Sequence, residues 1–195
     1  MERAADSLTR TDPQPSCGMP YPRWRASAGG VYLAVGFVIL GSLIGCSAAV
    51  GRLIGQQFVS PAYAFEVPLP GDEWKPVAGE QTVLTLTHPQ LAAGITINVT
   101  CDRERTTPLN ILTRHLFFGF KDLEVLLQER RTLNGVPALK TVARARLDTQ
   151  DVQMSSYVIH HDGCVYDMVY FANPPDYSRG EATFERLVAG FRFLN

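Results

Sequence analysis

Residues 127–147 read LQERRTLNGVPALKTVARARL, and residues 153–174 read QMSSYVIHHDGCVYDMVYFANP. Each has the form of two extended runs around a tight turn. Asn134-Gly135 supplies the positive φ angles that a two-residue hairpin turn needs, and Asp162-Gly163 does the same. In the run 138–148, Leu139, Ala143, Ala145 and Leu147 alternate with Lys140, Arg144, Arg146 and Asp148. A period of two puts the first set on one face and the second on the other. The pattern predicts strands over 125–133, 138–148, 153–160 and 164–172, with Pro174-Pro175 stopping the last.

Upstream, residues 63–69 alternate Tyr63, Phe65 and Val67, and Pro68-Leu69-Pro70-Gly71 ends the run. Trp74 follows in a loop. Residues 82–87 and 94–100 predict two more strands; Ile95, Ile97 and Val99 share a face. Pro108 then opens a helix over 109–122, in which Leu109, Leu112, Leu116 and Phe120 recur at helical spacing. A second helix is predicted over 179–191, with Phe184, Leu187, Val188 and Phe191 as its apolar stripe. The order is three strands, a helix, four strands, a helix. This is an α+β pattern, an antiparallel sheet flanked by helices.

Composition narrows the function classes. The chain has 195 residues, 46% of them apolar, with 18 Lys plus Arg against 19 Asp plus Glu and a net charge of -1. Phosphate binding needs clustered Lys and Arg, so near-neutral charge predicts no nucleic-acid partner. Four Cys are too few for a disulfide-built scaffold.

The first fifty residues read as an address. Arg23 and Arg25 precede a stretch, 26–50, that has no charged residue. A basic segment, an apolar run and small residues describe a secretory signal. The end of that run, Leu43-Ile44-Gly45-Cys46, resembles the lipobox of bacterial lipoproteins. The resemblance implies a lipoprotein-type signal over 1–45, cut before Cys46, whose thiol is acylated. Met19 would give an ordinary leader, so residues 1–18 read as an over-long start. Ser47 follows Cys46 where inner-membrane lipoproteins tend to have Asp, so the resemblance favours the outer membrane. Residues 46–62 then read as a tether and 63–195 as the exported domain. The alternative is an uncleaved anchor, because 25 uncharged residues can span a bilayer.

The domain resembles the PsbP-like family, which includes DcrB-like envelope proteins. The resemblance is carried by YAFEVPLPGDEWKPV (63–77), the two hairpins above and EATFERLVAGFRF (181–193). It implies an α/β/α sandwich around an antiparallel sheet. It also implies a non-enzymatic binding or assembly module, and gives no binding residue to carry over.

The candidate chemistry is sparse. His160-His161-Asp162 is the most chemical cluster, but adjacent strand residues point to opposite faces, and a polar hairpin end is the plainer reading. His115 reads as a surface residue and His88 as part of a turn. With Cys46 acylated and Cys17 upstream of Met19, two thiols remain, Cys101 and Cys164. They can pair in an oxidising envelope; two buried free thiols are the alternative. Arg130, Arg131, Arg144 and Arg146 could gather across the Asn134-Gly135 hairpin as an anion or headgroup patch, or form a solvated face with Glu129 and Asp148. Phe117, Phe118, Phe120, Tyr166, Tyr170, Phe171, Phe184 and Phe191 read as core.

The sequence therefore predicts a lipid-anchored, periplasm-facing envelope protein with no catalytic, metal or cofactor site. Its partners would be the membrane, through Cys46, and an envelope protein. The alternatives are a hydrolase around His160, His161 or Cys164, and a small-ligand carrier with a pocket between sheet and helices.

Overall fold

The computed structural model describes residues 50–79, 82–102 and 107–194. Eleven strands and two α-helices occur among them. The described residues begin with β1 (Arg52–Ile54), β2 (Gln57–Ser60) and β3 (Phe65–Pro68), then β4 (Lys75–Pro76), β5 (Leu84–His88) and β6 (Ala93–Cys101). Helix α1 (Leu109–Leu116) follows, then β7 (Lys121–Leu133), β8 (Val136–Leu147), β9 (Gln150–His161) and β10 (Cys164–Ala172). Helix α2 (Tyr177–Gly190) and β11 (Arg192–Phe193) complete it.

The strands make two antiparallel sheets. The main one has the order β4-β5-β6-β10-β9-β8-β7, the smaller one β1-β2-β3-β11. The two hairpins that decide the fold pair as their turns dictate: Leu133 stands opposite Val136 and His161 opposite Cys164. Asn134 and Asp162 hold φ of 51° and 48°, the left-handed conformation that these turn residues tolerate.

One face of the main sheet carries the larger core. Ile95, Ile97, Met168, Tyr170 and Ile159 meet Phe184 and Leu187 of α2 there, together with Phe58, Phe65 and Val67 of the small sheet. Phe184 and Phe191 are fully buried. Burying such a side chain contributes about 1.5–3 kcal/mol. The tyrosines keep their hydroxyls satisfied: Tyr170 donates to the Tyr177 carbonyl and Tyr166 to the Tyr63 carbonyl, each at 2.9 Å.

Helix α1 lies on the other face. Leu112 packs on Val158 and Val165, and Phe117 on Ala143, Ala145 and Met154. Eight residues make a helix about 12 Å long. The strands beneath it, β8 and β9, have 12 residues each and run about 40 Å. On that face Leu139, Thr141, Ala143 and Ala145 of β8 and Met154, Ser156 and Val158 of β9 are buried, and the part left partly exposed lies on β6 and β10, at Thr96, Asn98, Val169 and Phe171. The architecture is therefore dominated by sheet, and only in part the expected sandwich with helices on both sides.

Three expectations are corrected. The helix expected over 109–122 stops at Leu116, because Gly119 turns the chain with φ of +96° and β7 starts at Lys121. Residues 52–60, read as part of a tether, form the β1–β2 hairpin, with Phe58 and Ser60 buried. Phe118 and Phe171, both read as core, are exposed: Phe118 sits in the turn that follows α1, and Phe171 lies near the end of β10 on the less covered face of the sheet.

Candidate binding site at the end of the first helix

The face on which α1 lies holds an apolar pocket of about 250 Å³. Leu116, Phe117 and Phe120 close it from the end of the helix. Val152, Met154 and Phe171 form its wall on the sheet. Register explains the grouping: Phe171 stands opposite Met154, and Met154 opposite Ala143, so these strands present one face here. The ring of Phe171 lies over Gly94, where a Cβ would sit 2.3 Å from the ring. Gly94 thus leaves the space in which the ring forms its wall.

Among the described residues, no charged side chain lines the pocket, and Thr96 brings the one hydroxyl. Phe171 and Leu147 are 36% and 48% exposed. Val125, opposite Ala143 on the same face, is half exposed and carries the apolar surface to the outer strand β7. Such a site can receive an aliphatic or aromatic group and offers nothing to a charged one.

Asp167 lies on the same face. It stands opposite Val158 and Asn98, between Val165 and Val169. Its Oδ1 is buried without a hydrogen-bond partner among the described residues. Burial pushes its carboxyl up to about 6. Its signal in the sequence is a single acid within the otherwise uncharged run CVYDMVYFA.

The residues singled out from sequence are dispersed. His160 stands opposite Val165 and His161 opposite Cys164, so the two rings point to opposite faces. His161 packs its ring 4.1 Å from that of Phe193 and reaches exposed Asp162 at 3.4 Å. His88 is buried beside Trp74, with Nε2 3.4 Å from Glu73. His115 is exposed on α1. Cys164 is joined to Cys101 in a disulfide, the two standing opposite in the β6–β10 ladder with Cα atoms 4.0 Å apart. Neither sulfur is then a thiol nucleophile. Among the described residues no group of three or more His, Cys, Asp or Glu could hold a metal ion.

The arginines separate as well. Arg131 pairs with Glu129 near the hairpin turn, and Arg146 with Asp122 at the far end of the strands. Arg144 donates to Gln153 at 3.0 Å. Arg130 stands opposite Leu139 on the other face from Arg131. They form no common anion patch. Cys46 lies outside the described residues. Among the described residues, no helix is long and apolar enough to cross a membrane.

No family model matches the chain, and no curated protein matches it. Solved structures do. The chain is similar to the cyanobacterial PsbP, CyanoP, of Synechocystis, at a TM-score of 0.57 and 11% identity, over 79% of this chain and 98% of that one. It is similar to LpqN of Mycobacterium tuberculosis, described as involved in cell envelope biogenesis, at 0.53 and 9%, over 67% and 83%. A protein of Bacteroides thetaiotaomicron matches at 0.52 and 9%, over 73% of this chain and 50% of its own. These likenesses show the PsbP-like fold.

Proposed function

We propose that this protein is a non-enzymatic binding or assembly module of the cell envelope, held at the membrane by an acylated Cys46 and facing the periplasm. The observation that carries the binding role is the uncharged pocket at the end of α1, walled by Phe117, Phe120 and Phe171 and continued by exposed apolar residues. A catalytic cleft gathers titratable groups; this surface gathers apolar ones, as partner sites do. The expected partner is an envelope protein that inserts an apolar side chain. LpqN, which shares the fold, is connected with envelope biogenesis. The lipobox-like Leu43-Ile44-Gly45-Cys46 supports the anchor, and Ser47 supports the outer membrane. The pocket's volume of about 250 Å³ favours a second reading, the carriage of a small apolar ligand.

The test is photo-crosslinking in intact cells from a reactive residue placed at Phe118 or at Phe171, with Arg186 on α2 as the control position. A protein adduct specific to the first two positions supports the module, and a lipid-sized adduct selects the carrier. Equal labelling at all three positions overturns both. For the anchor, Cys46→Ser is expected to abolish incorporation of a fatty-acid analogue and to release the chain from membranes. Unchanged incorporation refutes acylation at that residue.

A further inference from the structure

The β1–β2 hairpin carries apolar side chains that the fold does not bury. Val50, Leu53 and Ile54 are 43%, 49% and 49% exposed. Leu53 stands opposite Phe58 and shares its face, whereas Ile54 stands opposite Gln57 on the reverse face. β1 is the outer strand of its sheet, so this edge is apolar on both sides. Beside it, Val77 and Pro76 line a depression with Leu53.

Two properties of the chain identify what covers this edge. The first is length. The uncharged stretch 26–50 ends where the hairpin begins, and Leu53 is three residues further on, a reach of at most about 11 Å. From Cys46 the reach is at most about 25 Å. Whether an acyl chain or the apolar stretch itself enters the bilayer, the hairpin is held close to its surface. The second is charge. From residue 26 to residue 65 there is no Asp or Glu, and the one charged residue is Arg52. A partner protein with a flat surface would cover one face of the edge and leave the other in water. A lipid interface wets both faces with hydrocarbon and offers phosphate to the guanidinium.

We propose that Leu53 and Ile54, at the tip of this hairpin, dock into the headgroup region of a bilayer, with Arg52 on lipid phosphate. This fixes the domain against the membrane at one edge rather than leaving it to swing on its anchor. It rests on the reading that residues 26–50 or an acylated Cys46 hold the chain at a membrane.

The experiment uses the full chain purified from membranes and reconstituted into phosphatidylethanolamine–phosphatidylglycerol vesicles, with or without brominated acyl chains. Leu53→Trp and Ile54→Trp each add a tryptophan at a half-exposed site, and Glu124→Trp adds one on exposed β7, at the edge of the main sheet opposite β4. Emission is read as the excess over the wild-type chain. Brominated lipid is expected to quench the excess at 53 and 54 and to spare that at 124. Equal quenching at all three positions, or none at 53 and 54, overturns the docking. Flotation of the same samples reports the anchor separately. A chain that floats but is not quenched retains the anchor and loses the docking; a chain that does not float loses both.

Discussion

Asp167 is a carboxylate set among the apolar residues of β10. Its carboxyl is pushed up to about 6 from 3.8 by burial, and Oδ1 has no hydrogen-bond partner among the described residues. In the unfolded chain it loses its proton near about pH 4. Between about pH 4 and pH 6 the folded chain therefore binds more protons than the unfolded one. This contribution to stability falls as pH rises through that window and is level above it. A shift of about two units corresponds to roughly 2–3 kcal/mol. Asp167→Asn keeps the shape and removes the charge. It is expected to match the wild type at about pH 4 and to exceed it by about 1–3 kcal/mol at about pH 7. Urea unfolding across that range checks this; parallel profiles for the two proteins would count against it.

At the scale of elements, the stop between α1 and β7 brings Phe117 and Phe120 to the pocket. Gly119 makes that stop with φ of +96°. Gly119→Ala is expected to destabilise the fold by about 1–2 kcal/mol, because a Cβ disfavours that conformation. The midpoint of thermal unfolding checks it, and an unshifted midpoint argues against the strain. The sequence shows why this stop was hard to read. Phe120 continues the 109, 112, 116 spacing, so periodicity carries the helix past a glycine that helices tolerate. The long hairpins were legible because turn chemistry and alternation agree in them. β4 and β11 have two residues each, too few to show any period. In β2 the buried positions are Phe58 and Ser60, and a buried serine hides the apolar alternation. The pocket was illegible for a different reason. Its apolar lining was visible in Val152, Met154 and Phe171, but their meeting with Leu116, Phe117 and Phe120 is set by tertiary packing, which no local period reports.

Over the whole molecule, the two faces of the sheet differ in how completely they are closed. α2 and the small sheet bury one; α1 shields part of the other. The Cys101–Cys164 disulfide spans 63 residues of sequence and ties the start of β10 to the end of β6. Closing a loop of that length restricts the unfolded chain by about 4 kcal/mol in the entropic account, with a usual range of about 2–5. A Cys101→Ser, Cys164→Ser double variant is expected to lose about 2–4 kcal/mol in chemical unfolding, and reductant to cost the wild type as much. A reductant-insensitive wild type would contradict the bond's contribution. The span of that bond also encloses α1, β7, β8 and β9. A protease nick anywhere between the two cysteines leaves both fragments covalently joined. The damaged protein then migrates as one piece on a denaturing gel and separates into two when its sulfurs are reduced.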